Sequence, residues 1–154
     1  MRKDLPHKIE RATFDDINEL YELQLIAFES EAEMIGSREV PALQESKEDN
    51  AADFTNWQVL KLVKEDGKII AAIRYRIDGD IVEVGRVMTH PDYRRKGLAR
   101  ILLNEVDKAY PGNIKELYTC TKSWTNICLY EKMGYKHYKE VEGGRGLSFV
   151  YMRK

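Results

Sequence analysis

The stretch Glu83–Leu103, EVGRVMTHPDYRRKGLARILL, constrains this chain more than any other. Ile81 to Thr89 is rich in β-branched residues and is cut off by Pro91, which predicts a buried strand running into a turn. From Gly97 onward, Leu98, Ile101, Leu102 and Val106 recur at helical spacing, which predicts one amphipathic helix. Between them lies Arg94-Arg95-Lys96-Gly97-Leu98-Ala99. A strand that hands a basic, glycine-bearing turn to a helix N-terminus brings together backbone N–H groups, the positive end of a helix dipole and cationic side chains. That combination suits a phosphate.

The flanking elements follow from periodicity and breakers. Lys8 to Ala12 is read as an edge strand, and Thr13 with Asp16 as the capping box of a helix that carries Ile17, Leu20, Tyr21, Leu25 and Phe28 to about Glu29. Trp57 to Glu65, Lys68 to Ile77 and Ile81 to Thr89 form a three-stranded meander through turns at Asp66-Gly67 and Asp78-Gly79-Asp80. After the Gly97 helix, Tyr110-Pro111-Gly112-Asn113 is a stop, and Ile114 to Thr121 is a strand placed to pair in parallel with the one before the helix. A helix over Trp124 to Met133, strands over Tyr135 to Val141 and Leu147 to Met152, and a loop at Glu142 to Gly146 complete the order. All 154 residues are read as one domain, and the element order is α+β.

Charge narrows the classes of partner. The net charge of −1 argues against nucleic acid, and no apolar run reaches the ~20 residues that would span a membrane. The start, MRKDLPHKIER, lacks the apolar core of a signal peptide, so a cytoplasmic protein is expected. Cys120 and Cys128 are read as buried free thiols, with no metal or redox chemistry. From Glu29 to Asp53 eight carboxylates face only Arg38 and Lys47. This segment is read as wet surface or, functionally, as a funnel that favours a cationic acceptor.

Arg94-x-x-Gly97-x-Ala99, with its strand and the lead-in His90-Pro91-Asp92-Tyr93, resembles the acyl-CoA-binding motif of the GNAT superfamily of N-acetyltransferases. Leu129-Tyr130-Glu131-Lys132-Met133-Gly134-Tyr135 resembles the family's second signature helix. The resemblance covers about Lys8 to Arg153, except Glu29 to Asn56. It implies a mixed, mostly antiparallel twisted sheet of six to seven strands flanked by about four helices, and an acetyl-CoA-dependent transfer to a primary amine by direct attack in a ternary complex. The acceptor is an amine on a small molecule, polyamine or peptide, and homodimers are frequent in such proteins. By the resemblance, Tyr130 is the acid that protonates the leaving thiolate and Glu83 the base, with Glu29 or Glu31 in reserve. The backbone of Val87, Met88 and Thr89 would pair with the pantetheine arm. Arg94, Arg95, Lys96, Gly97, Leu98, Ala99 and Arg100 would hold the pyrophosphate. The family's cofactor-contacting Asn is replaced here by Ser123, with Asn126 nearby, and either can supply the contact. The alternatives are a non-catalytic acyl-CoA-binding regulatory module and a protein N-terminal or lysine acetyltransferase.

Overall fold

In a computed structural model that describes residues 7–154, the chain forms one seven-stranded sheet with helices on both faces. The reading of the first six residues as free of a leader concerns a stretch outside the described residues. The strands are β1 His7–Arg11, β2 Gln58–Lys64, β3 Ile69–Asp78, β4 Ile81–Thr89, β5 Ile114–Cys120, β6 Lys136–Gly144 and β7 Leu147–Arg153. The helices are α1 Ile17–Ile35, α2 Pro41–Gln44, α3 Lys47–Asp53, α4 Leu98–Ala109 and α5 Trp124–Lys132. The sheet order is β1-β2-β3-β4-β5-β7-β6, antiparallel throughout except for β4 and β5. Those two are joined through α4, the crossover that a parallel pair requires. Among the described residues no helix is long and apolar enough to cross a membrane.

Two apolar layers clamp the sheet. On one face Leu98, Leu102, Leu103 and Val106 of α4 and Tyr130 of α5 pack against Leu62, Ile70, Ile73 and Val82. On the other, Leu20, Leu23 and Ala27 of α1 pack against Val63, Ile69, Ala72 and Met88. The central strand β3 is covered on both sides over its first half, which explains its unbroken Ile-Ile-Ala-Ala-Ile run.

Three local expectations change, and the acidic segment takes a definite form. Helix α1 continues six residues past Glu29, because the stop is Gly36, whose left-handed φ of 77° lets its N–H and that of Ser37 close on the Ala32 carbonyl. The acidic segment is mostly helical: α2 starts at Pro41, and α3 is capped by Ser46, whose Oγ accepts from Asp49 N–H at 3.0 Å. Strand β6 continues through Glu142 to Gly144, leaving only Arg145-Gly146, both with positive φ, as the hairpin turn. Cys120 is buried as expected, but Cys128 is exposed. Helix α5 turns Tyr130 to the core and leaves the Cys128 side of its short span in solvent. Replacing Gly36 by Ala should cost about 1 kcal/mol of stability, because a Cβ is strained at this φ although no atom crowds it. A lower urea midpoint at unchanged slope would report it.

Two features of β4 open the site. Its pairing with β5 stops after Glu83↔Glu116, and from there the two strands part. At the same level its register with β3 shifts, and Arg86 takes a φ of 44°. A residue pushed out of the ladder in this way bends the strand and increases its local twist.

Candidate active site

Past Glu83, β4 therefore runs to Thr89 without a strand partner on its β5 side among the described residues, leaving backbone polar groups turned toward a cleft. The cleft has two compartments. The larger, about 870 Å³, lies between α1, α5 and the turn that opens α4. The smaller, about 460 Å³, sits over the parted strands. They share Phe28, Glu31, Val87, Asn126 and Tyr130, so these residues form the junction.

The larger compartment is built by the basic turn. His90 Nδ1 accepts from Asp92 N–H at 3.1 Å and caps a short turn over Pro91–Tyr93. Arg95 and Gly97 then adopt left-handed φ values of 63° and 75°, and α4 begins at Leu98. Alternation of this kind turns successive N–H groups to one side and makes a concave anion seat at a helix N-terminus. Arg94, Arg95, Gly97, Leu98, Ala99 and Arg100 all line the compartment, with Leu98 anchored in the core. Lys96 is exposed beside the turn and is not part of that lining. Arg94 also donates to the Ala27 carbonyl of α1 at 3.3 Å, which ties the turn to the helix facing it.

The strand residues divide by the pleat. Val87 lines both compartments and Thr89 the larger, whereas Met88 lines neither and its side chain is buried against α1. On α5, Asn126 reaches the junction. Ser123 instead is fully buried, and its Oγ lies beside the Glu31 carboxylate without closing a well-formed hydrogen bond to any described residue.

Two ionisable groups meet at the junction. Tyr130 is 5% exposed, and burial, reinforced by the neighbouring Glu31 charge, pushes its phenol far above the ordinary tyrosine value. It therefore stays protonated at any physiological pH. Glu31 is 9% exposed, and burial raises its carboxyl although the Ser123 hydroxyl and the Arg94 guanidinium pull it back down. A buried carboxyl with a raised pKa next to a phenol is a proton acceptor beside a proton donor. Glu83 lies elsewhere, on the wall of the smaller compartment. It is the cross-strand partner of Arg76 and accepts from its Nε at 2.6 Å.

Sequence reasoning missed the wall of the smaller compartment, where Arg74 and Arg86 stand largely buried near Trp57. The Arg74 guanidinium lies 4.1 Å from the Trp57 ring centre. A charged residue within the otherwise apolar run Val84-Gly85-Arg86-Val87 was the signal available.

Comparison with known proteins agrees with this geometry. The family model described as "Acetyltransferase (GNAT) domain" matches residues 56–137, more than half of the chain. The PaiA N-acetyltransferase from Thermoplasma acidophilum, solved in complex with coenzyme A, superposes with a TM-score of 0.79 at 22% identity, covering 97% of this chain and 99% of that one. The ribosomal-protein-S18-alanine N-acetyltransferase from Escherichia coli gives 0.78 at 18% identity, covering 96% and 92%. Both share the fold. The UPF0157 protein YqkA of Bacillus subtilis (strain 168) is 30% identical over 130 residues, 84% of this chain, but the match spans only 37% of YqkA's own length. With the parted strands, the anion turn and the family match in agreement, the chain belongs to the GNAT family of acetyltransferases.

Proposed function

We propose that the chain transfers an acetyl group from acetyl-CoA to a primary amine by direct attack in a ternary complex. One observation carries this reading: the anion-seat compartment and the arginine-walled compartment meet at Glu31, Val87 and Tyr130, so two substrates entering from opposite sides touch there. Bound acetyl-CoA supplies an activated thioester carbonyl. The turn from Arg94 to Arg100 holds its pyrophosphate through backbone N–H groups and the α4 dipole. The free backbone edge at Val87 to Thr89 takes the pantetheine arm as an added strand and offers an N–H to the carbonyl oxygen, where charge develops.

The acceptor needs a base. An alkyl amine with a pKa near ~10.4 is neutral in only about one molecule per thousand at pH 7. Glu31 at the junction takes the ammonium proton and releases it to solvent, the neutral nitrogen forms a bond to the carbonyl carbon, and the carbon–sulfur bond breaks as the nitrogen gives its second proton to Glu31. Tyr130 hydrogen-bonds the departing sulfur and gives it a proton, which the proton held on Glu31 replaces. The products are the N-acetylated amine and the free thiol of coenzyme A, with no covalent enzyme intermediate.

Calorimetric titration with acetyl-CoA, followed by thiol release against amines, tests the reading. Binding with release on one acceptor class supports it. Binding without release on any amine returns the chain to the regulatory-module reading, and absence of binding removes the anion site itself. Gly97→Val is expected to weaken acetyl-CoA binding about tenfold, because a β-branched residue at a φ of 75° costs on the order of 1–2 kcal/mol and moves the turn. An unchanged dissociation constant would detach the turn from the cofactor.

A further inference from the structure

The smaller compartment is lined by Arg74, Arg76 and Arg86 and by the carboxylates of Glu31, Asp53, Glu83 and Glu116; Glu83 is held by Arg76 and Glu116 by Arg153, and two of the three arginines are only partly satisfied. Arg74 stands on β3 opposite Gly85, and Arg86 follows at the irregularity of β4, so the two guanidinium groups face one space. Their side chains are only 15% and 14% exposed. Each has one carboxylate at the long end of contact: Arg74 to Asp53 Oδ2 at 3.3 Å and Arg86 to Glu45 Oε1 at 3.5 Å. Both acceptors are shared. Asp53 Oδ2 also accepts from the Trp57 indole at 3.0 Å, and Glu45 Oε1 from Gln24 at 2.9 Å and Asn50 at 3.0 Å. The Nε–H groups of Arg74 and Arg86 are buried and meet no acceptor among the described residues. Burial and the nearby Arg86 charge push Arg74 down to about 10, so Arg74 stays charged at neutral pH and the two guanidinium groups repel.

Buried, unpaired guanidinium N–H groups cost stability unless something accepts from them, and the planar fork matches a carboxylate or phosphonate through paired hydrogen bonds. The acidic run that would favour a cationic acceptor is largely placed elsewhere. Only Glu31 and Asp53 of its eight carboxylates line this compartment; Glu29 pairs with Arg38, Glu39 with Arg145, and Glu33, Glu48 and Asp49 are exposed.

We infer that the acceptor is a small amine that also carries an anionic group, an amino-carboxylate or its phosphonate analogue, with the anion on Arg74 and Arg86 and the amine at Glu31. This rests on the acetyltransferase reading and names the substrate class of the same site. Arg76 does not share the role, since Glu83 occupies its Nε. Trp57 gives the anion site a rigid floor by stacking on both Arg74 and Arg76.

The test compares thiol release for α-amino acids, ω-amino acids of increasing length and aminophosphonates with release for the same amines lacking the anion. An acceptor preferred over its anion-free partner by about 30-fold or more in kcat/KM is expected. The carboxylate and phosphonate series identify which oxyanion it bears. For that acceptor, Arg86→Gln and Arg74→Gln should raise KM by about tenfold or more, with little change in kcat and none in acetyl-CoA affinity. Arg86→Lys should restore part of the loss. Anion-free amines, polyamines included, that turn over as well as their anionic partners overturn the inference while leaving the transferase reading intact. So does an unchanged KM in the Gln variants. Failure of the wild-type protein to bind acetyl-CoA would overturn the transferase reading instead. Because each variant's acetyl-CoA affinity is measured alongside, misfolding is told apart from loss of the anion site.

Discussion

Tyr130→Phe should lower kcat by about 10²- to 10⁴-fold while acetyl-CoA binds as before. The substitution removes one oxygen from a ring that is 5% exposed and stacked edge-on against Tyr135 at 6.0 Å, so shape and packing survive. Stability should change little, because among the described residues no hydrogen bond to the hydroxyl is lost. What disappears is the only phenol at the junction of the two compartments, among the described residues. Burial and the Glu31 charge hold that phenol protonated, so it donates at every working pH and adds no limb to the pH profile. Phe should therefore scale the whole pH–rate curve down without moving it. Single-turnover kinetics with saturating acetyl-CoA would separate this from a binding defect, and an unchanged single-turnover rate would remove Tyr130 from the chemistry.

The elements that carry the cofactor motif were legible in the sequence because local chemistry dictates them. A β-branched run ended by proline, a basic turn with glycine and an amphipathic helix each follow from neighbouring residues, and β4, the turn and α4 lie where these signals put them. The element order followed, as did the parallel pair, since a helix crossover leaves little else. The acceptor side depends on register, which no local signal fixes. From the sequence Glu83 reads equally as a base or as a salt-bridged or solvent-facing strand residue, and only the β3–β4 pairing sets it opposite Arg76. Arg86 looks out of place between Val84-Gly85 and Val87-Met88 until the bulge turns it into the cleft. On α1 the sequence reading named Ile17, Leu20, Tyr21, Leu25 and Phe28, yet the buried ridge runs from Leu20 through Leu23, Gln24 and Ala27 to Glu31. Two polar residues on that ridge were a signal in themselves. Gln24 holds the Ala42 carbonyl and Glu45, which fastens α2 to α1, and Glu31 faces the cleft. The distribution of the acidic segment was hidden for a related reason: Glu29 pairs with Arg38, Glu39 with Arg145, Glu45 with Arg86 and Asp53 with Arg74, whereas Glu33, Glu48 and Asp49 stay exposed.

Glu31→Gln should remove the acid limb of the kcat/KM profile and lower the plateau by about 10²-fold or more, whereas Glu83→Gln should leave that limb in place. The contrast follows from position: Glu31 stands at the junction, and Glu83 stands in a cross-strand pair with Arg76. Burial raises the Glu31 carboxyl above its ordinary value of 4.5, so the limb in the wild-type protein should lie above the usual carboxylate range. The same shift makes a prediction about stability with the opposite sign from activity. In the window between the ordinary and the raised value the folded protein binds more protons than the unfolded chain, so stability falls as pH rises through it. Below that window the carboxyl is neutral in both states and exacts nothing. Above it the folded state carries a buried charge, against which Arg94 and the Ser123 hydroxyl give only partial relief. Gln carries no such charge. The variant should therefore melt higher than the wild-type protein at neutral pH, and that advantage should vanish as pH falls below the ordinary carboxylate value. Melting temperatures of both proteins across that range, measured beside the rate profiles, decide the matter. A Gln variant that loses rate and is also less stable at neutral pH would make Glu31 a structural residue, and the base would have to be sought elsewhere on the cleft wall.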